Sequence, residues 1–221
     1  MGGTFTDVLE QSASGEVRAR KVLSSPPAYD VAVVDALHEL AAGAPARLGE
    51  VIHGTTVATN AVLERRGARA AVVTTRGFRD VLELRRMRMP HLYDSFWDKP
   101  PPLVPRHLRF EVDERMSAAG EVLQPLDLEA ASGLVARLRG EGVESVAVCL
   151  LHAHLYPAHE ERLGEILRAG LPGVPISLSS EVLREQQEYE RMPTTAVNAY
   201  VRPLMAGYLE NIQPGLSELD T

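Results

Sequence analysis

The sequence predicts an α/β protein made of two layered parts and a closing helix. Short apolar strands alternate with amphipathic helices on both sides of a proline-rich segment at residues 87–107, and a helical stripe of apolar residues fills residues 188–212. Hydrophobic residues make up 45% and charged residues 24% of the 221, as in ordinary globular proteins. We therefore predict domains at residues 1–88, 89–187 and 188–221.

The first part has the predicted order β-β-α-β-α-β-α. A hairpin opens it, with strands at residues 4–10 and 16–22 and a turn from Ser12 to Gly15. Asp30 can cap the first helix. The later elements of this part are the strand EVIHG (50–54), a helix capped by Thr55 or Thr56 and ending at Arg66, the strand ARAAVVT (68–74), and a helix capped by Thr74 or Thr75.

The second part follows the proline-rich segment with the predicted order β-α-β-α-β. Its elements are a strand from Arg109 to Arg115, a helix capped by Asp127, the strand VESVAVCLL (143–151), a helix opened by Pro157, and the strand VPISLSS (174–180). In the closing stripe, Pro193 and Pro203 are expected to start, kink or split the helix, because proline lacks the N–H that an interior helical position uses.

Charge and composition exclude several kinds of partner. The net charge of −7 argues against a broad nucleic-acid surface. The apolar stretches are too short and too interrupted to span a membrane. Cys149 is the only cysteine, so no internal disulfide can form, and we expect a cytoplasmic protein.

A glycine-rich turn near the start, GGTFTD, is the first candidate site. Gly2 and Gly3 can expose backbone N–H groups to a phosphate, and the hydroxyls of Thr4 and Thr6 can bond its oxygens. Asp7 can hold a magnesium ion, directly or through water. An ordinary polar turn would explain the same letters. The motif is neither a Walker motif nor a dinucleotide fingerprint, because no helix follows it.

The second candidate is HGTTVATNAVLER, which begins at His53. Thr55 and Thr56 lie at a predicted helix N-terminus, where free N–H groups and the helix dipole attract anions. His53 can donate to a bound oxyanion or act as an acid or base. Alternatively, the threonines are only caps and His53 is a hydrogen-bonded strand-end residue. TTRGFRD, from Thr74, repeats the pattern, and two such ends on adjacent parallel strands would face one crevice.

Three segments together resemble the A-type, ATP-binding subunit of the ATP-dependent hydantoinase/oxoprolinase family: GGTFTDV, HGTTVATNAVLERRGARAAVVTTRGFRDVLE and EYERMPTTAVNAYVRP. The segments MRMPHLYDSFWDKPPPLVPRHLRFEVDERM and GEVLQPLD are also similar, so the resemblance runs from residue 2 to about residue 210. It implies an ATPase fold of the actin and sugar-kinase group. The chain would supply the N-terminal half of that actin-like ATPase domain as a mixed sheet, followed by a second small α/β layer and a C-terminal helix.

The resemblance also implies chemistry. Members hydrolyse cyclic amides of the hydantoin or 5-oxoproline type at the expense of ATP, together with a B-type subunit. Phosphorylation of the amide oxygen makes the carbonyl carbon a better electrophile for water, which requires positioning and charge neutralisation by Mg²⁺. His53 is the candidate catalytic residue, with Asp7 associated with the metal. The residues implied to bind the ATP phosphates or line their cleft are Gly2, Gly3, Thr4, Thr6, Asp7, Thr55 and Thr56.

The resemblance has limits. Family members have a strand that ends in aspartate before GGTFTD, whereas Met1 stands there in this chain, and A-type subunits are much longer. We therefore expect a fragment whose sheet lacks its first strand, and which is inactive alone. The alternatives are a non-catalytic remnant that binds a partner, or a fragment of a related ATP-dependent ketone carboxylase subunit. The histidines of HAHLYPAH (152–159) lack convincing zinc spacing and predict a surface loop.

Overall fold

A computed structural model of the chain describes residues 3–12, 14–25, 28–43, 49–86, 93–94 and 96–219. The chain forms two compact units. Unit 1 comprises Met1–Arg66 and Leu204–Thr221, and unit 2 comprises Gly67–Pro203. Compactness does not define functional domains, so the boundaries predicted from the sequence stay a prediction.

Helices and strands both contribute to the two units. The strands are β1 (Phe5–Gln11), β2 (Val17–Leu23), β3 (Ala70–Thr75), β4 (Arg109–Val112), β5 (Arg115–Met116), β6 (Val122–Gln124), β7 (Ser145–Cys149) and β8 (Ile176–Leu178). The α-helices are α1 (Tyr29–Gly43), α2 (Val57–Leu63), α3 (Val81–Leu84), α4 (Leu128–Gly140), α5 (Ala158–Gly170), α6 (Ser179–Val182) and α7 (Glu188–Leu219).

The predicted hairpin opens unit 1. Strands β1 and β2 pair in antiparallel register, with Phe5 opposite Leu23. At the turn, the Gly15 N–H donates to the carbonyl oxygen of Ser12 at 2.9 Å. Gly15 has φ of +86°, a backbone region that glycine adopts at little steric cost. The hairpin prediction is therefore confirmed; residue 13 of its turn lies outside the described part of the chain.

The core of unit 1 joins α1, α2 and the second half of α7. Its buried members are Val33, Leu37, Val57, Tyr208 and Ile212. Helices α1 and α7 approach closely, because a β-carbon added at Gly215 would lie 2.6 Å from a methyl of Val34. This packing brings Tyr208 next to the segment that leads into α2.

The strand predicted at residues 50–54 is wrong. None of the sheets in the part of the chain that the structure describes includes these residues. Ile52 is 88% exposed, whereas a core strand would bury it. A strand needs a neighbouring strand to bond its N–H and C=O groups, and strand propensity alone does not supply that neighbour.

Unit 2 is built on a four-stranded parallel sheet in the order β4-β3-β7-β8. Every residue of β3 and β7 is buried, which is typical of the central strands of a parallel sheet. Strands β5 and β6 form a separate small hairpin. The strands predicted in ARAAVVT, VESVAVCLL and VPISLSS are confirmed. The predicted strand at 109–115 is confirmed in its first half, as β4.

Two helix starts in unit 2 follow the predicted capping chemistry, and one does not. The Asp127 carboxylate accepts from the Ala130 N–H at 2.9 Å, and Pro157 precedes the first residue of α5. The helix predicted to be capped by Thr74 or Thr75 is wrong. Those threonines end β3, Gly77 turns the chain at φ of +90°, and only the single turn α3 follows.

Helix α7 is continuous over 32 residues. Pro193 and Pro203 lie inside it, so the expectation that a proline starts or splits this helix is wrong. The helix is also longer than the stripe of residues 188–212 predicted. No helix in the described ranges combines the length and the apolar character needed to cross a membrane.

Gly67, just before β3, allows close packing against α7 within unit 2. A β-carbon there would lie 2.2 Å from the buried ring of Tyr200, and the N–H of Ala68 donates to the Tyr200 carbonyl oxygen at 2.9 Å. We expect Gly67→Ala to lower the free energy of unfolding by about 1–3 kcal/mol through overpacking. Urea denaturation checks this. Gly133→Ala, at an open helical position, is the control and is expected to be neutral or stabilising. Equal stability of the two variants would contradict the predicted clash.

Candidate functional site

The glycine turn precedes β1 and lies beside α2. Gly3 and Thr4 are exposed, and the Thr4 carbonyl oxygen accepts from the Ser24 N–H at 3.0 Å, which anchors the turn to the end of β2. A β-carbon added at Gly3 would lie 3.0 Å from Nδ2 of Asn60. The turn and the first half of α2 are therefore neighbours, as a shared anion site requires. Gly2 lies outside the described residues.

The two other polar residues of the turn motif lie in β1, on opposite faces of the hairpin. Thr6 is buried and its Oγ1 is 3.0 Å from Oγ of Ser24. Asp7 is exposed, and its carboxylate lies 3.1 Å from Nζ of Lys21, its cross-strand partner. Because side chains alternate along a strand, a phosphate on one face can be reached directly by only one of these two side chains. Thr6 is already bonded within the hairpin, so Asp7 is the more available group.

The threonines of HGTT bond locally at the start of α2. Oγ1 of Thr55 accepts from the Val57 N–H at 3.2 Å. Thr56 is the residue preceding the helix, but its side chain makes no capping bond; its Oγ1 lies 3.3 Å from Nδ2 of Asn60. The predicted position of the helix start is confirmed, and of the two threonines predicted as caps it is Thr55, not Thr56, whose hydroxyl accepts from a helical N–H.

His53 is held by a residue from the other end of the chain. Its Nε2 lies 2.7 Å from the phenol oxygen of Tyr208, and the two rings are tilted with centroids 5.8 Å apart. Partial burial lowers the pKa of His53, which favours the neutral imidazole. Burial also raises the pKa of Tyr208, opposed by a hydrogen bond from Thr55 and reinforced by Asp30. His53, Thr55 and Tyr208 therefore form one polar cluster in unit 1.

Sequence reasoning missed Tyr208. It lies in the apolar stripe of α7, where a tyrosine is indistinguishable from a core residue. Its ring indeed belongs to the core of unit 1, with only 6% of the residue exposed. The available signal was chemical: a buried phenol needs a hydrogen-bond partner, and the nearest candidates are 155 residues away in the sequence.

The TTRGFRD segment belongs to unit 2 and has a different role. The Thr74 hydroxyl donates to the Cys149 carbonyl oxygen at 2.7 Å, which ties β3 to β7. The Thr75 hydroxyl donates to the buried carboxylate of Glu114 and accepts from the Leu151 N–H at 3.1 Å. Since HGTT and TTRGFRD lie in different units, their shared crevice stays a prediction.

Of the histidines predicted in a surface loop, His152 and His154 lie in the turn before α5, whereas His159 lies in α5, and all three are half-buried. Nδ1 of His159, in α5, lies 2.8 Å from the carboxylate of Glu114, which is fully buried. Nδ1 of His154 lies 3.3 Å from the buried guanidinium of Arg191. These side chains crosslink the carboxyl edge of the parallel sheet. No cluster of three or more metal-ligating side chains occurs in the described ranges.

Glu160 is a third buried ionisable side chain at this edge, beside Glu114 and Arg191. None of its surface is exposed, and its carboxylate accepts from the Leu150 N–H at 3.1 Å, the Ser179 hydroxyl at 2.7 Å and the Ser180 N–H at 2.7 Å. Burial raises the pKa of Glu160, and the hydrogen bonds from the serines and Leu150 oppose that rise. All three donors belong to the protein itself, so the carboxylate links the end of β7 to α6 and has a structural role.

A groove of about 180 Å³ runs along unit 2. Its lining is Leu82, Arg85, Pro101, Pro102, Leu103, Val104, Tyr189, Pro193, Ala196 and Val197. Arg85 is the only charged side chain there, and its guanidinium donates to the Pro100 carbonyl oxygen. The groove lacks the convergent polar groups that orient a reacting ligand. The glycine turn and HGTT therefore remain the stronger candidates for chemistry.

Known proteins resemble the chain over almost its whole length. The sequence model of the protein family described as the hydantoinase/oxoprolinase N-terminal region matches residues 1–171 of this chain. An uncharacterized protein of Methanocaldococcus jannaschii is 37% identical over 215 residues, which are 96% of this chain and 32% of that protein. The caprolactamase subunit alpha of Pseudomonas jessenii is 34% identical over 227 residues, which cover 99% of this chain and 33% of that subunit. The chain thus spans about a third of the length of these relatives.

Two solved structures share the fold. The ATP-dependent caprolactamase of Pseudomonas jessenii matches 99% of this chain and 33% of its own, with a TM-score of 0.86 and 34% identity. The nucleotide-free acetone carboxylase matches 100% of this chain and 34% of its own, with a TM-score of 0.86 and 24% identity. The mixed α/β fold predicted from the sequence is confirmed by both.

Proposed function

Because the chain belongs to the hydantoinase/oxoprolinase N-terminal family, we propose that it is part of an ATP-dependent enzyme that hydrolyses cyclic amides. The observation that carries the proposal is its likeness to the ATP-dependent caprolactamase over 99% of the chain. Caprolactam is a cyclic amide. Hydrolysis of an unactivated amide is slow, and ATP can drive it by phosphorylating the amide oxygen, which makes the carbonyl carbon a better electrophile for water. After water adds, the ring C–N bond breaks and the nitrogen leaves as a protonated amine. A second water then hydrolyses the acyl phosphate to carboxylate and phosphate.

The residues of unit 1 suit the binding of the nucleotide phosphates. Gly3 and Thr4 are exposed beside the start of α2, and Thr55 and Thr56 supply hydroxyls there. We assign these four residues, with Gly2 of the same motif, to the phosphates. Thr6 would contribute by exchanging its hydroxyl bond to Ser24 for one to a phosphate oxygen, and Asp7, on the opposite face of β1, would act through Mg²⁺. Phosphoryl transfer depends mainly on positioning and charge neutralisation, which backbone N–H groups and hydroxyls provide without proton transfer of their own.

Mg²⁺ fits this site only when ATP is bound, because the nucleotide phosphates would supply most of its ligands. Asp7 is an exposed carboxylate, and its present partner is Lys21 at 3.1 Å, an ion pair that is weak in water and easily exchanged. Mg²⁺ commonly binds through one or two carboxylates together with substrate phosphates. Asp7 would hold Mg²⁺, which would neutralise charge on the transferred phosphate. His53 is the proposed catalytic residue.

Partner and location follow from the same proposal. A similar protein is named as an alpha subunit, so a second, B-type subunit is the proposed partner of the complete protein. A cytoplasmic location is proposed because ATP is supplied there.

We also expect the 221-residue chain alone to lack turnover, since it spans a third of its relatives. A Mg²⁺-dependent ATPase rate on the order of 1 s⁻¹ from this chain alone would contradict that expectation.

The test uses the full-length polypeptide that contains this chain, with its partner subunit, Mg·ATP, and caprolactam or 5-oxoproline. We expect ring opening that requires ATP. Asp7→Asn should lower kcat/KM for Mg·ATP by about 10-fold or more, because a bond to a charged group contributes roughly 1.5–3 kcal/mol. Asp35→Asn, an exposed position on α1, is the matched control and should leave the rate unchanged. Failure to open either ring would refute the proposal, and bicarbonate-dependent consumption of a ketone would favour the carboxylase alternative.

A further inference from the structure

One side chain of unit 1 reaches both of the segments assigned to the phosphates. Asn60 lies in α2, one turn after the end of HGTT, and is half-buried. Its Nδ2 donates to Oγ1 of Thr56 at 3.3 Å. The same nitrogen is the atom nearest to the space beside Gly3. A single amide nitrogen therefore connects the glycine turn with HGTT.

The contact with Gly3 is close enough to restrict which residue can stand at position 3. A β-carbon added there would lie 3.0 Å from Nδ2 and 3.9 Å from Cγ of Asn60. Alanine at this position would push the amide away by a few tenths of an ångström. Glycine thus leaves the space that the Asn60 side chain occupies beside the turn.

The amide nitrogen also has a hydrogen to spare. An asparagine side chain carries two N–H donors on Nδ2 and an acceptor on Oδ1. One N–H donates to Thr56, and the second has no acceptor in the part of the chain that the structure describes. Because Nδ2 lies next to the glycine turn, the second N–H is available to an acceptor that binds there.

We propose that Asn60 is a phosphate-binding residue, which donates its second side-chain N–H to an oxygen of the ATP phosphates on the glycine turn. The inference rests on the proposed function, which makes ATP the ligand of that turn. The bond to Thr56 holds the amide in place, and Gly3 gives it access to the ligand. Asn60 would thereby fix the spacing between the turn and HGTT when the phosphates bind.

The chemistry of an amide suits this role. Phosphate oxygens are charged acceptors, and hydrogen bonds to charged acceptors are stronger than those between neutral groups. The amide neither gains nor loses a proton in the ordinary pH range, so its donor is present whenever the triphosphate is ionised. An aspartate has nearly the same shape, but it lacks the N–H and its negative charge would repel the phosphates.

The experiment uses the full-length polypeptide that contains this chain, with its partner subunit, and measures binding of Mg·AMP-PNP, a non-hydrolysable ATP analogue, by isothermal titration calorimetry. Asn60→Ala should weaken binding about 10-fold or more, the usual effect of losing a hydrogen bond to a charged group. Asn60→Asp should weaken it further. Thr59→Ala, at the neighbouring exposed position of α2, is the matched control and should bind as the unmodified protein does. Normal affinity in Asn60→Asp would overturn the proposal.

A double-mutant cycle tests the contact between the turn and α2. Gly3→Ala should weaken binding of Mg·AMP-PNP, because its methyl group displaces the amide of Asn60. In the Asn60→Ala background the same change should have a much smaller effect, since no amide remains to be displaced. Fully additive effects would show that the two residues act independently, and would overturn the role given to Gly3.

The side-chain amide signal of Asn60 separates this inference from the proposed function. It is observed in the protein labelled with ¹⁵N-asparagine and assigned by its loss in Asn60→Asp. We expect the signal to move in Gly3→Ala without nucleotide, and to move in the unmodified protein when Mg·AMP-PNP is added. Nucleotide binding with an unmoved signal would refute the role of Asn60 alone. Failure of the full-length protein to bind Mg·AMP-PNP would refute the proposed function and this inference with it.

Discussion

Replacing Glu160 by alanine is expected to destabilise unit 2 by about 3–6 kcal/mol, because each buried donor left without an acceptor costs roughly 1–3 kcal/mol. Three donors converge on this carboxylate, two of them backbone N–H groups that cannot turn toward water. Glu160 has no exposed surface, so solvent cannot replace the lost acceptor without opening the fold. A loss of this size is a large share of the roughly 5–15 kcal/mol that stabilises a typical domain.

Urea denaturation of the chain, followed by tryptophan fluorescence and circular dichroism, measures this loss. Glu161→Ala is the matched control, since the neighbouring residue lies on the same helix and is exposed. Ser179→Ala removes one of the three donors and should cost much less than Glu160→Ala. If Glu160→Ala and Glu161→Ala unfold at the same urea concentration, the Glu160 carboxylate does not stabilise the link between β7 and α6.

The sequence predicted those elements whose signal is local. The hairpin β1–β2 has its turn residues in place at Ser12 and Gly15, and β3 and β7 are uninterrupted apolar runs. The helix start at Asp127 has a carboxylate three residues before the N–H that it accepts from. In each case, the sequence signal lies within the element or its turn, even where, as for β3 and β7, the strand partner is distant in the sequence.

The failures came from interactions between distant residues. Residues 50–54 have strand composition without a paired strand, and Thr75 has the composition of a helix cap but its hydroxyl bonds Glu114, 39 residues away. Composition gives no partner for either segment. In helix α7 the local signal predicted an interruption that does not occur. Pro203 disfavours a helix, but packing against distant elements outweighs that local cost.

The candidate site was predicted by motif and completed by the fold. GGTFTD and HGTT each suggested an anion site, and the approach of Gly3 to Asn60 brings the two segments together. The contact of His53 with Tyr208 spans 155 residues and had no sequence signal. It is also the contact that gives His53 a fixed orientation, which a solvent-exposed histidine on an irregular segment would otherwise lack.

His53→Ala in the full-length protein is expected to lower kcat by about 10²–10³-fold, the usual effect of removing one preorganised oxyanion donor. The fold should survive, because His53 lies outside the core and its loss removes only one hydrogen bond of the Tyr208 phenol, which is worth about 1 kcal/mol. His53→Gln retains a side-chain N–H and should recover part of the rate, which a role as proton acceptor would not allow. His107→Ala, an exposed histidine of unit 2, is the control.

Steady-state turnover at saturating Mg·ATP and thermal unfolding are measured together on each variant. If His53→Ala lowers the melting temperature by many degrees while activity per folded molecule stays normal, His53 is a structural residue and the catalytic assignment is wrong.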